Sequence, residues 1–266
     1  MYIVKVPGIN GLGHTEGCEK AGNAIIEAFR KIHSNEAGIP VDVDLFDLEE
    51  IHLNNSDLEE ANKLIYKNSL EAYETKPKTV FLGGDHSISY SLTKAFMNHC
   101  NAKEKRPCLI VFDSHPDCMP PMPEPTHEEW LRKLIEDGFP AENILIVGLR
   151  NSWKAETVFL KEKGIQQISI NSIVEDIDNI ADTIMEFSSG KELYVSLDID
   201  VVDPAFAPGT GYPVAGGLSG REMIYLVQRI NKIKSLRATD IVEINPDKDI
   251  NGMTTQLGAK ILGELV

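Results

Sequence analysis

The chain reads as one α/β domain built on a parallel sheet, and three observations predict it. β-type apolar runs alternate along the whole length with segments that carry apolar residues three and four apart, the pattern of repeated βαβ units. No internal repeat, low-complexity tract or linker-like shift in composition divides the 266 residues, so residues 1–266 are expected to form a single domain. Three polar tracts rich in Asp and His each stand directly after an apolar run, where the carboxyl edge of an open parallel sheet gathers its ligands.

In chain order, strands are expected at Tyr2 to Val6, Val41 to Phe46, Thr79 to Leu82, Cys108 to Phe112, Ile144 to Val147, Gln167 to Ile170, Leu193 to Leu197 and Ala238 to Ile244. Between them the apolar spacing predicts helices over Cys18 to Ile32, Ser56 to Tyr73, His127 to Glu136, Ser172 to Phe187 and Ser219 to Ile233, with a last one from about Met253 to Leu265. Ser172-Ile-Val-Glu175 has the form of a capping box opening its helix. Two stretches break the rhythm. Cys118 to Thr126 holds four prolines, and Asp203 to Gly217 holds three prolines and four glycines. Both follow acidic tracts, where binding loops belong.

Composition narrows the partners. With 26 Lys and Arg against 41 Asp and Glu, the net charge of −15 supplies no obvious basic face for phosphates, so no nucleic-acid partner is expected. Most of that charge reads as a solubilising surface, and what remains suits a small cationic substrate. No run approaches the ~20 apolar residues of a membrane span. The start Met-Tyr-Ile-Val-Lys-Val lacks the basic segment of a signal peptide, which predicts a cytoplasmic protein. Cys18, Cys100, Cys108 and Cys118 are widely spaced without a CxxC, so neither a disulfide framework nor a zinc knuckle is suggested.

The chemistry lies in the three tracts. Asp113-Ser-His115-Pro-Asp117 and Asp198-Ile-Asp200-Val-Val-Asp203 each begin at a strand end, and residues two apart there point the same way. Gly83-Gly84-Asp85-His86-Ser87 brings a further imidazole to the same edge. His86, His115, Asp113, Asp117, Asp198 and Asp200 exceed one ion's needs and suit two metals about 3.5–4 Å apart with bridging carboxylates. Oxygen-dominated ligation with one His per ion favours Mn²⁺ over structural zinc. A water between two such ions is acidic enough to serve as a hydrolytic nucleophile. Each tract alone has a plainer explanation, a helix cap or a turn, with Ser87 or Asp85 as cap in the third. Three such tracts after three strands make that explanation poor.

These tracts, with the run from Ser196 to Leu218 and Asp240-Ile-Val-Glu-Ile-Asn-Pro246, resemble the ureohydrolases: arginase, agmatinase, formimidoylglutamase and relatives. The likeness spans Met1 to the C-terminal helix. It implies a three-layer α/β/α domain with a central parallel eight-stranded sheet, two Mn²⁺ per chain, and a homo-oligomer, trimer or hexamer. It implies that His86, Asp113, Asp117 and Asp198 hold one ion, that Asp113, His115, Asp198 and Asp200 hold the other, and that Asp113 and Asp198 bridge. It implies that Glu243 accepts hydrogen bonds from the substrate guanidinium and that His127 shuttles protons to the departing nitrogen. The plainer readings are a strand-end carboxylate for Glu243 and, for His127, the start of a helix capped by Thr126. His14, His33, His52 and His99 are expected to carry no chemistry.

The chain departs from the family pattern in three places. Ser114 stands where alanine is usual, a change small enough to leave the backbone alone. The loop from Asp117 to His127 lacks the Asn and Ser with which arginases recognise the α-amino acid, which argues against strict arginase activity. Tyr212 stands where Thr or Asn is more usual, in a phrase otherwise closer to agmatinases. Cys118 is expected to pack as a small apolar residue. The resemblance thus implies a manganese hydrolase of a guanidino or amidino C–N bond, with agmatine ahead of formimidoylglutamate or a short guanidino acid. A metal-dependent amine deacetylase of the same fold stands behind it, and a metal-loaded binding protein last.

Overall fold

The computed structural model describes residues 1–266. Strands β1 (Tyr2–Val6), β2 (Asp47–Glu50), β3 (Thr79–Gly83), β4 (Pro107–Phe112), β5 (Ile144–Val147), β6 (Gln166–Ile168), β7 (Glu192–Asp198) and β8 (Leu236–Val242) form one sheet in the order β2-β1-β3-β8-β7-β4-β5-β6. Every pairing is parallel. The helices are α1 (Ala21–Phe29), α2 (Leu58–Thr75), α3 (Ile88–Ala102), α4 (Trp130–Glu136), α5 (Lys154–Lys163), α6 (Ile170–Glu175), α7 (Ile177–Phe187), α8 (Gly220–Ile230) and α9 (Met253–Glu264).

The helices divide into two layers because the sheet buries both its faces. Residues of α1, α6, α7, α8 and α9 pack with Val80, Ile110, Val195 and Ile241 on one face. Those of α2, α3, α4 and α5 pack with Phe81, Val111, Tyr194 and Val242 on the other. Consecutive strand residues point to opposite faces, so a doubly covered strand is apolar throughout, as Leu109 to Phe112 is. Each fully buried Val, Leu or Ile contributes about 1.5–3 kcal/mol.

Most expected elements fall within two residues of their observed bounds. The strand expected at Val41 to Phe46 is not there: Val43–Leu45 is a 3₁₀ turn capped by the Asp42 carboxylate, and the strand is the next segment, Asp47–Glu50. It lies at the sheet's edge, where pairing with β1 rather than apolar character makes the strand. The capping box at Ser172 is also displaced. The stretch is two helices, α6 capped by the Ser169 hydroxyl and α7 by the Asp176 carboxylate, and Ser172 lies inside the first. At Ser219 a capping box with Glu222 does open α8.

The topology brings distant tracts together. Strands β3, β8, β7 and β4 are consecutive neighbours, and Leu82 pairs with Ile241, Ile241 with Leu197, and Leu197 with Phe112. All four strands therefore end level: β3, β4 and β7 empty into the three polar tracts and β8 into the segment that begins at Glu243.

Candidate active site

Beyond these strand ends lies a cavity of about 380 Å³ that reaches His86, His115, Asp117, His127, Asp198, Asp200, Tyr212 and Glu243. The turn after β3 starts it. Gly84 donates to Val6 O, and a Cβ on Gly84 would stand 1.9 Å from Gly8 O, so only glycine lets this turn press against the end of β1. Buried Asp85 then gathers the turn and the N-terminal loop, accepting from Ser87 N on one oxygen and from Asn10 N and Thr15 Oγ1 on the other. His86 follows, 1% exposed.

Nδ1 of His86 lies 3.0 Å from Asp113 Oδ2, 3.0 Å from Asp117 Oδ2 and 3.2 Å from Asp198 Oδ2. Nδ1 of His115 lies 2.9 Å from Asp200 Oδ2 and 3.7 Å from the other oxygen of Asp113. Asp113 thus divides its two oxygens between the imidazoles. Two groups of atoms, from His86, Asp113 and Asp198 and from Asp113, His115 and Asp200, are each close enough to hold a metal ion, their atoms within 4.8 Å of one another. All six residues that the sequence singled out come together.

The donor set fits divalent ions. His86 Nδ1 and Asp113 Oδ2 are fully buried and make no hydrogen bond, so each has an open lone pair or proton facing the others. Burial, and then the charge of Asp113, pushes Asp117 up to about 7. Burial, then Asp200 and Asp113, raises Asp198 well above the carboxylate range. Burial would lower His115, but Asp113 and Asp200 outweigh it and push the imidazole up to about 12. Crowded carboxylates that keep protons beside imidazoles that gain them mark a site short of cations.

The backbone is strained at two of these positions. Asp117 has φ 47° and Glu243 φ 63°, both left-handed and costly for a residue with a Cβ. Asp117 is held by the indole of Trp130, whose Nε1 donates to Asp117 Oδ2 at 2.8 Å while its ring lies 4.7 Å from that of His86. Glu243 is held at both ends. Its N–H donates to Gly84 O, and its Oε1 accepts from His86 N at 2.8 Å. Its Oε2 faces Cys18 Sγ at 3.9 Å and lies beside Gly211. Burial, then Asp85, raises its pKa well above the usual range.

His127 precedes the helix rather than starting it. α4 begins at Trp130, and the Thr126 hydroxyl accepts from Glu128 N within a turn closed by the Glu129 carboxylate. Its ring is 7% exposed with neither nitrogen hydrogen-bonded, and burial lowers its pKa. Tyr212 stacks on it at 5.1 Å and also meets the ring of His14 at 5.2 Å. His14, set aside in the sequence, therefore stands against a ring that lines the cavity. Cys118 is wholly buried among apolar side chains, as expected.

Sequence reasoning missed the groups behind the imidazoles. Nε2 of His86 is 2.9 Å from Ser196 Oγ, which donates to Asp240 Oδ1 at 2.7 Å. Asp240 also accepts from Ser89 Oγ and Tyr194 Oη at 2.8 Å each and from Leu197 N. Nε2 of His115 instead meets the side-chain amide of Asn151 at 3.2 Å. The available signal was polar Ser196 and Asp240 at buried positions within strands.

In sequence the chain is similar to an arginase of Staphylococcus aureus (strain MRSA252), 28% identical over 242 residues that cover 84% of this chain and 79% of the relative. In structure it is similar to formimidoylglutamase from Bacillus subtilis, with a TM-score of 0.90 at 24% identity over 99% of this chain and 85% of the other. It is likewise similar to proclavaminate amidino hydrolase from Streptomyces clavuligerus, with a TM-score of 0.87 at 25% identity over 99% and 89%. The model of the arginase family matches residues 1–266.

Proposed function

Because this chain belongs to the arginase family, we propose that it is a single-domain, Mn²⁺-dependent hydrolase of a guanidino C–N bond that takes agmatine and releases urea and a diamine. One observation carries the choice of substrate. The cavity is lined by the carboxylates of Asp117, Glu128, Glu156, Asp198, Asp200 and Glu243 and by no Lys or Arg. Arg150, close enough to influence Asp200 and Asp113, spends its guanidinium on the carbonyls of Gly148, Asp200, Val201, Val214 and Ala215. A substrate with a carboxylate tail, as in arginine, a guanidino acid or formimidoylglutamate, would meet no cation. Agmatine ends in an ammonium instead. No helix is long and apolar enough to cross a membrane, and the reading is of a cytoplasmic homo-oligomer.

In this reading His86, Asp113, Asp117 and Asp198 hold one ion and Asp113, His115, Asp198 and Asp200 the other. The divided oxygens of Asp113 support its bridging role, and Asp198 bridges by family likeness. The ions would supply an acidified water and a Lewis acid. Glu243 accepts the guanidinium N–H groups in a charge-assisted pair that fixes the carbon in place; the cation brings this buried carboxylate the countercharge it lacks. His127, kept neutral by burial and free at both nitrogens, moves a proton to the departing amine. Tyr212 shields that imidazole from water.

The test is a product panel with Mn²⁺ present: urea from agmatine, arginine and 4-guanidinobutanoate, formamide from formimidoylglutamate, acetate from acetylated polyamines. Urea from agmatine above the other substrates is expected. Acetate alone would move the chain to the deacetylase reading.

A further inference from the structure

The cavity has a depth gradient. At its floor Glu243 and Asp200 are each 3% exposed and Asp198 4%, whereas at its mouth the Glu128 side chain is 41% exposed and Trp153 is 70% exposed. An indole left this far out of the core is unusual for its type. The turn that carries it is fixed at the backbone: the main-chain N–H of Trp153 donates to Glu156 Oε2 at 2.9 Å while Glu156 Oε1 accepts from Cys118 N at 2.9 Å. One buried carboxylate therefore ties the Trp153 turn to the end of the 113–117 tract. Tyr212 also lines the cavity, held by its stack on His127.

We propose that Glu128, Trp153 and Tyr212 form a subsite for the alkylammonium end of an aminoalkyl guanidine. This rests on reading the cavity floor as the place where the guanidinium reacts. With the reacting end anchored at Glu243, a flexible tail runs toward the mouth, which these three side chains line together with Met119, Asn151 and Ser152. An ammonium there gains a carboxylate and two aromatic faces, both attractive to a cation. A carboxylate there meets Glu128 with no counter-ion. The subsite gives positive selection for one tail and rejection of the other. Glu128 has a rival role, since its Oε1 lies 3.9 Å from His127 Nε2 and could tune that imidazole instead.

Steady-state kinetics of the Mn²⁺-loaded protein on agmatine, n-butylguanidine and 4-guanidinobutanoate separates the two roles. Wild type is expected to prefer them in that order. Glu128→Gln should raise KM for agmatine about tenfold, the worth of one charge-assisted contact, and narrow its advantage over n-butylguanidine. Trp153→Ala should do the same by roughly threefold. Glu128→Arg should turn the preference toward 4-guanidinobutanoate, a gain that misfolding cannot imitate. Agmatine turnover with these ratios unmoved, or a Glu128→Gln loss confined to kcat and equal for all three, overturns the subsite while leaving the guanidine hydrolase intact. Failure of the wild type on every guanidine overturns both.

Discussion

His86 and His115 stand at the ends of strands with two others between them in the sheet, and each aims Nδ1 at carboxylates. What stands behind them differs. Behind His86 is a sealed chain, Ser196 then Asp240, whose carboxylate is completed by Ser89, Tyr194 and Leu197 N. Behind His115 is one side-chain amide, and the ring itself is 23% exposed. The directions of donation settle the tautomer on the buried side. Leu197 N fixes Asp240 as acceptor, so Ser196 must donate to it and in turn accept from His86 Nε2–H. Nε2 thus carries a proton, and Nδ1 is the atom that faces Asp113, Asp117 and Asp198 and would give its lone pair to an ion. A buried charge backs one imidazole and a neutral, wet group the other, so the two halves of the proposed centre should respond differently to the loss of what supports them.

The largest effect should come from the residue that both halves share. Asp113→Ala removes an oxygen from each group, and metal analysis should find both ions lost and urea output down by more than the roughly 100-fold expected for any outer partner. A variant that keeps both ions would mean that the halves are independent. Chelation of the wild type should be visible in its melting point. Asp117, Asp198 and Glu243 are buried carboxylates pushed upward in pKa for want of positive charge, so ions that bind only the folded chain stabilise it by mass action, about 2.7 kcal/mol at a hundredfold excess over Kd. A melting temperature indifferent to Mn²⁺ would count against the site.

Next comes the buried support. Asp240→Asn places an amide among fixed donors, and Ser196→Ala breaks the chain one step closer to the imidazole. Each should weaken metal binding on the His86 side by about 10–100-fold while leaving one ion bound, as read by calorimetric stoichiometry. Asp240→Asn should also cost about 1–3 kcal/mol through donors left unmatched. Lower stability with unchanged metal affinity would make this chain a piece of core packing.

How legible each half was in the sequence follows the same division. His115, Asp113 and Asp117 sit within five residues, so alternation at one strand end announces them. His86 and Glu243 were legible as motifs, but their contact, His86 N–H to Glu243 Oε1, depends on β3 and β8 being neighbours. Strand order is written in no local pattern, which is why Asp240, though part of a noticed motif, had no role until β8 was seen beside β7. Trp130 was hidden for another reason: a tryptophan in an apolar helix reads as core, and it is core, with only Nε1 serving Asp117. The misplaced second strand reflects the opposite case, Asp47–Glu50 being a strand only because β1 offers it an edge.

The smallest effect is expected behind His115. If an ion sits on its Nδ1, Nε2 carries the proton, and the Asn151 amide must present its oxygen rather than its nitrogen, an orientation that heavy-atom distances alone do not fix. Asn151→Ala then loses one neutral hydrogen bond at a site water can reach, worth about 0.5–1.5 kcal/mol, and metal affinity on that side should fall less than about tenfold. Asn151→Asp sharpens the comparison. It puts behind His115 the kind of charge that backs His86, and a carboxylate there accepts from Nε2–H without needing to turn. Affinity on the His115 side should rise above that of Asn151→Ala and reach or pass the wild type. Should Asn151→Asp bind metal no better than Asn151→Ala, charge behind the imidazole is not what separates the two halves, and their difference reduces to burial.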